Sequence, residues 1–121
     1  MKKLVFIFLT IIFYVNFLNV QADSISPKDI VKTNGITYKK FSHVPFTGAV
    51  SGINKNGFLI KAIYEQGKRE GISKSYHENG QLSLKANYKN DQPNGSWEWY
   101  NKNGRLTYKA TYKDGKRILE K

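Results

Sequence analysis

Two histidines, nine acidic residues and no cysteine are all that this 121-residue chain offers for metal binding or acid–base chemistry. His43 precedes Pro45 in a loop context and His77 falls at a hairpin end, with no HxxxH, HExxH or cysteine cluster to add ligands. Both read as ordinary surface histidines, and no metal site is expected. Glu65, Glu70, Glu78, Asp91, Glu98 and Asp114 lie mostly in or beside turns, where carboxylates bond locally. Nothing in their spacing predicts a pair for glycoside hydrolysis. Ser73, Ser75 and Ser83 lack a glycine-framed elbow and a partnered histidine. The glycines punctuate hairpins instead of cradling a phosphate. The chain therefore reads as a binding protein with no catalytic residue and no cofactor.

Two sets of residues could carry binding. Lys61, Lys85 and Lys109 recur at intervals of 24, and Lys89 and Lys113 extend the same strand phase. With two strands per repeat, equivalent lysines stand roughly 10 Å apart across a sheet. That is close to one Debye length, so their repulsion is small while their fields add toward a multivalent anion. The same lysines would equally keep an exposed strand face soluble and guard sheet edges. The second set is Trp97, Trp99, Tyr100, Tyr108 and Tyr112. Trp97 and Trp99 share one face of an extended segment, and with a nearby tyrosine they could form a stacking platform for sugar rings or a hot spot for a partner protein. Packing that closes the sheet near its C-terminal end would use the same rings.

The elements that must position these residues follow from a repeat. The fragments NGFLIKAIY (56–64), NGQLSLKANY (79–88) and NGRLTYKATY (103–112) place Gly57, Gly80 and Gly104 at steps of 23 and then 24 residues. Gly48, Gly71 and Gly95 precede these glycines by nine residues in each copy, and Ala62, Ala86 and Ala110 step by 24. Such a period describes units that rest on their neighbours. Leu106, Tyr108, Ala110 and Tyr112 alternate with Thr107, Lys109, Thr111 and Lys113, the signature of a half-buried strand. The Asn-Gly pairs between such runs predict hairpins, through either a two-residue primed turn or a three-residue loop with glycine in the left-handed region. Strands are expected near 36–41, 47–54, 58–65, 71–77, 81–89, 95–101, 105–113 and 116–120. The fold class is all-β: a single-layer meander of antiparallel hairpins built from about three repeats of 23–24 residues.

These residues resemble the MORN repeat variant of bacterial proteins. Its pattern is a glycine, a short aromatic strand, Tyr-x-x-Asn-Gly, an alternating strand and a Gly-Lys-type turn. Gly71 to Tyr88 carries Tyr76-His77-Glu78-Asn79-Gly80, and Gly95 to Tyr112 carries Trp97, Trp99 and Tyr100-Asn101-Lys102-Asn103-Gly104. Pro45-Phe46-Thr47-Gly48 is similar to the family's opening segment, whereas the first copy departs, with Ile53 in place of the tyrosine and Gly52 in place of Trp99. The resemblance spans about residues 38–117. It implies hairpins, contacts with proteins or membranes and, for related bacterial proteins, an antitoxin-like label; it brings no catalytic residue.

At the N-terminus, Lys2 and Lys3 precede an apolar run from Leu4 to about Leu18, followed by the small-residue site Val20-Gln21-Ala22. Residues 1–22 read as a secretory signal, cleaved near Ala22. The run is shorter than the roughly 20 residues that span a bilayer, and no cysteine follows for lipidation. Removing 22 of 121 residues leaves 99, enough for one small domain with a modest core and no disulfide. Residues 23–35, interrupted by Ser26-Pro27, are expected to be an irregular segment or cap, and 36–121 to be the repeat domain. The formal charge of +11 falls to +9 without Lys2 and Lys3, which favours an acidic partner. Export to the periplasm or beyond argues against nucleic acid. An envelope protein met through the aromatic face or sheet edges ranks first, an anionic lipid headgroup or acidic glycan on the lysine ladder second, and antitoxin-like inhibition of another protein third.

Overall fold

A computed structural model describes residues 24–119. The segment read as a signal, residues 1–22, lies outside them. Alternation of apolar or aromatic with polar residues, cleanest in the eighth and tenth strands, accompanies β1 (Ser24–Ile25), β2 (Ile30–Thr33), β3 (Ile36–Lys39), β4 (Gly48–Ile53), β5 (Leu59–Glu65), β6 (Lys68–Arg69), β7 (Gly71–Tyr76), β8 (Leu82–Lys89), β9 (Gln92–Tyr100), β10 (Leu106–Lys113) and β11 (Lys116–Ile118). The main sheet runs β1-β4-β5-β7-β8-β9-β10-β11, with β6 on β5, and β2 and β3 form a separate hairpin. The expected single-layer meander is what forms, with β4–β5, β7–β8 and β9–β10 as its three repeated hairpins.

Residues 24–33 depart from the irregular course expected of them. β1 pairs parallel to β4, with Ser24 opposite Ala49 and Ile25 opposite Val50, and so covers the edge of the first hairpin. Pro27 does end β1, but into a 3-10 turn, Pro27–Asp29, capped by the Ser26 hydroxyl, which accepts from the Lys28 N–H at 3.3 Å. A Cβ at Gly52 would lie 3.0 Å from Pro27 Cδ, so the bare backbone of β4 receives the proline ring.

From β4 onward the connections are of two kinds and alternate along the chain. At one edge the Asn-Gly pairs use the three-residue loop. Gly57, Gly80 and Gly104 sit at φ +85, +85 and +81, while the preceding asparagines keep ordinary negative φ, which excludes the primed two-residue turn. Their N–H groups reach the carbonyls of Asn54, His77 and Asn101, each at 3.0 Å. At the other edge, Gln66-Gly67, Asn90-Asp91 and Asp114-Gly115 have positive φ at both residues, the two-residue primed geometry.

Each of these primed turns is fastened to the segment that opens the same hairpin, just before Gly48, Gly71 or Gly95. The N–H groups of Gln66, Asn90 and Asp114 donate to Thr47 Oγ1 (3.0 Å), Glu70 Oε2 (3.0 Å) and Asn94 Oδ1 (3.2 Å). The next N–H groups, of Gly67, Asp91 and Gly115, donate to the carbonyls of Phe46, Arg69 and Pro93. Each hairpin is thus closed on its own entry, and successive hairpins, which cannot bury a face alone, are joined through the pairing of β5 with β7 and of β8 with β9. Among the described residues Val50, Ala62, Ala86 and Ala110 are the buried apolar ones, and they lie on one face of the sheet.

Candidate interaction faces

Two of the recurring alanines, Ala86 and Ala110, have a packing cause. In the ladder, Trp97 stands directly between Ala86 of β8 and Ala110 of β10, and only a methyl group leaves room for an indole to lie across its neighbours. The Trp97 ring centroid is 5.2 Å from Tyr88, 5.2 Å from Tyr112 and 5.7 Å from Trp99. Trp99 is 5.1 Å from Tyr108, and all four pairs are tilted at 45–56°. Phe46 and Tyr64 continue the row toward the N-terminal hairpin, 6.0 Å apart. Trp97 Nε1–H donates to the Asn87 carbonyl at 3.0 Å, so the indole has its polar partner. Most of these rings are half-buried, and Tyr108 is 44% exposed.

Tyr100 stands apart from this group. Alternation turns it to the opposite face, where its hydroxyl donates to Glu98 Oε2; that bond raises the phenol pKa above its ordinary value. Trp97, Trp99, Tyr108 and Tyr112 come together, and Tyr100 does not join them.

The lysines occupy the face opposite the indoles. Across the sheet the register runs Ser51, Lys61, Lys74, Lys85, Glu98, Lys109, so Lys61, Lys85 and Lys109 do share one row. Lys74 adds a charge beside Lys85, and Glu98 interrupts the row between Lys85 and Lys109. Lys61 Nζ lies 5.7 Å from the Tyr76 ring centroid. Lys89 and Lys113 are exposed at strand ends, opposite Gln92 and Lys116.

A third cluster had no forerunner in the sequence reading. Asp91 Oδ1 accepts from the Arg69 backbone N–H (3.1 Å) and Nε–H (3.0 Å), and Oδ2 accepts from Lys32 Nζ (2.7 Å). Burial pushes the Asp91 pKa up, but the hydrogen bonds from Lys32 and Arg69 outweigh it and hold the carboxyl below its ordinary value. The Arg69 guanidinium also lies 3.9 Å from the Tyr88 ring centroid. Burial raises the Tyr88 and Tyr64 pKa values although Arg69 works in the other direction. The recurrence of a polar residue just before Gly48, Gly71 and Gly95, namely Thr47, Glu70 and Asn94, was the available clue to the turn fastenings.

His77, expected at the surface, is half-buried, and its Nε2 lies 2.8 Å from the Tyr100 carbonyl, so that nitrogen carries the donated proton. Asn79 Nδ2–H likewise donates to the Lys102 carbonyl at 2.8 Å, docking one three-residue loop on the next. Among the described residues no three His, Cys, Asp or Glu side chains converge as a metal site. No described helix is long and apolar enough to cross a membrane.

Fold and faces together define a single-layer repeat protein of antiparallel hairpins. Two segments, residues 69–90 and 93–114, match the family model of the MORN repeat variant; they cover the second hairpin and nearly all of the third, each ending on the first residue of its primed turn. No curated protein and no solved structure matches the chain significantly. MORN repeats point to a module for protein interaction or membrane binding, in a family that is typically non-enzymatic.

Proposed function

We propose that the protein is an exported, non-enzymatic interaction module of the cell envelope, and that it holds a partner protein against its aromatic face. The observation that carries this reading is the run Tyr88, Trp97, Trp99, Tyr108 and Tyr112 on one face of a single-layer sheet. Large, stiff rings with little entropy to lose suit an interface core, and Tyr108 keeps a wet face. Lys2, Lys3, the apolar run and Val20-Gln21-Ala22 support export with cleavage near Ala22. Capture of envelope extract on the tagged protein at low and high salt tests the reading. A single protein retained at high salt supports it; loss of all captured material at high salt counts against it.

A second reading rests on the row Lys61, Lys74, Lys85 and Lys109, which suits an anionic lipid headgroup or acidic glycan. Glu98 within the row weakens it, so it ranks below the aromatic face. Inhibition of an envelope protein, in the manner of an antitoxin, would use the same aromatic face and is the third reading.

A further inference from the structure

Phe41 is 103% exposed, so its ring touches nothing, and its backbone sits at φ +65. A bulky residue in the left-handed region is an outlier that persists only where the surroundings impose it. Here they do. The Ser42 N–H reaches the Lys39 carbonyl at 3.0 Å across a turn whose third residue is Phe41, a position that ordinarily takes glycine. The Lys40 N–H donates to the Asp29 carbonyl (2.7 Å), the Val44 N–H donates to Ser42 Oγ (3.1 Å), and Tyr38 bridges Pro45. The loop is therefore braced at its base with Phe41 and Val44, itself 70% exposed, directed outward. Lys39 and Lys40 are exposed beside the ring, and the Asp29 contact brings exposed Lys28 alongside, with Asp29 as the acid of this segment.

We propose that the Lys39–Val44 loop is a membrane-docking tip that seats Phe41 and Val44 in the interfacial region of an anionic lipid bilayer. A protein interface of ordinary size needs roughly 800 Å² of fitted surface on each side, with its anchor ringed by other contacts. A narrow tip carrying one ring, one valine and flanking lysines presents no such surface. A bilayer accepts it, because the ring enters the acyl boundary while lysines extend to anionic headgroups. The site lies outside residues 69–114, on a different part of the chain from the aromatic face, and does not depend on the protein-binding reading.

The chain has no cysteine, so Val44→Cys can carry a single environment-sensitive fluorophore, with Ser83→Cys as the control on the sheet. Vesicles of phosphatidylglycerol with phosphatidylcholine, and of phosphatidylcholine alone, are the probes for the full chain. The label at position 44 brightens with the anionic vesicles and the label at 83 does not. Phe41→Asn, which touches no neighbour and tolerates positive φ, keeps the fold but lowers vesicle affinity roughly tenfold or more, the change that burying a phenylalanine ring corresponds to. An unchanged signal at position 44, or an equal position-44 signal in Phe41→Asn, overturns the proposal, because the label reports burial of the tip and not binding through residues 1–22. Loss of a captured envelope protein in Phe41→Asn with vesicle affinity intact also overturns it, and makes the tip a protein contact.

Discussion

The Asp91 carboxylate accepts both the backbone N–H and the guanidinium Nε–H of Arg69, at 3.1 and 3.0 Å, and thereby fastens the turn of one hairpin to the strand preceding it. Asp91 also occupies, at φ +67, the turn position that Gly67 and Gly115 hold in the other units. Its contacts offset the backbone strain.

Asp91→Ala is expected to destabilise by about 1–3 kcal/mol, since it leaves Arg69 and Lys32 without their shared acceptor. Asp91→Gly should cost less, because glycine relieves the left-handed backbone. Urea unfolding of both variants checks the order. The folded-state pKa lies below the ordinary 3.8, so this stabilisation is present above that pH and is lost as pH falls through the folded value. Asp91→Asn should flatten that acid limb of the stability profile.

Gly80→Val and Gly104→Val are expected to destabilise by about 1–3 kcal/mol through backbone strain, since β-branching resists positive φ. Gly67→Ala should cost more than Gly57→Ala, because an added Cβ at 67 would overlap Ile36 Cγ2 and the Thr37 carbonyl oxygen, while the space around 57 is open. Thermal melts of the four variants separate strain from collision; equal losses at 57 and 67 would contradict the close approach.

Trp97→Ala removes the ring that spans three strands and should cost about 2–4 kcal/mol, at the lower side of core values because the ring is only half-buried. Tyr108→Ala should cost under about 1 kcal/mol and yet reduce capture of the partner protein. Tyr100→Ala, on the other face, should leave that capture unchanged. If Tyr100→Ala and Tyr108→Ala behave alike in the capture assay, the aromatic face is not the contact.

At alkaline pH the order of ionisation reverses the benefit of buried phenols. Tyr64 and Tyr88 are raised above 10.0 by burial, and Tyr100 by its bond to Glu98. The unfolded chain deprotonates first, so stability holds below pH 10 and declines as pH rises through the folded values. Absorbance titration should show these phenolates forming late, and Glu98→Gln should bring Tyr100 back toward its ordinary value.

Replacing Lys61, Lys85 and Lys109 together with glutamine should leave partner-protein capture and vesicle docking through the Lys39–Val44 loop intact and abolish any salt-sensitive capture of acidic glycan by the sheet face. Retention of the glycan by the triple variant would remove the lysine row from consideration.

Much of the architecture was legible because its determinants are local. All eight expected strands form, and the largest shift is at β9, which begins at Gln92 instead of 95. The run Asn90 to Gly95 looks like a long turn by composition, but Asp91 accepts positive φ in place of glycine once Arg69 and Lys32 hold it, and two residues suffice. The place of Tyr100 was available from alternation, since an odd step from Trp99 must change face. The acid within the lysine row was not, because Glu98 joins Lys85 and Lys109 only through the pairing of β9 with both neighbours.

Side-chain alternation and the recurring glycines state which segments are strands, which way each residue faces and where the chain reverses, because pleat and turn geometry act within a few residues. The docking of the N-terminal hairpin and the parallel β1 depend on contacts between distant residues, such as Lys32 with Asp91, 59 residues apart, and Ser24 with Ala49. Such pairs carry no period. Their energy exists only once folding has brought the two groups together, so only the assembled chain reveals them.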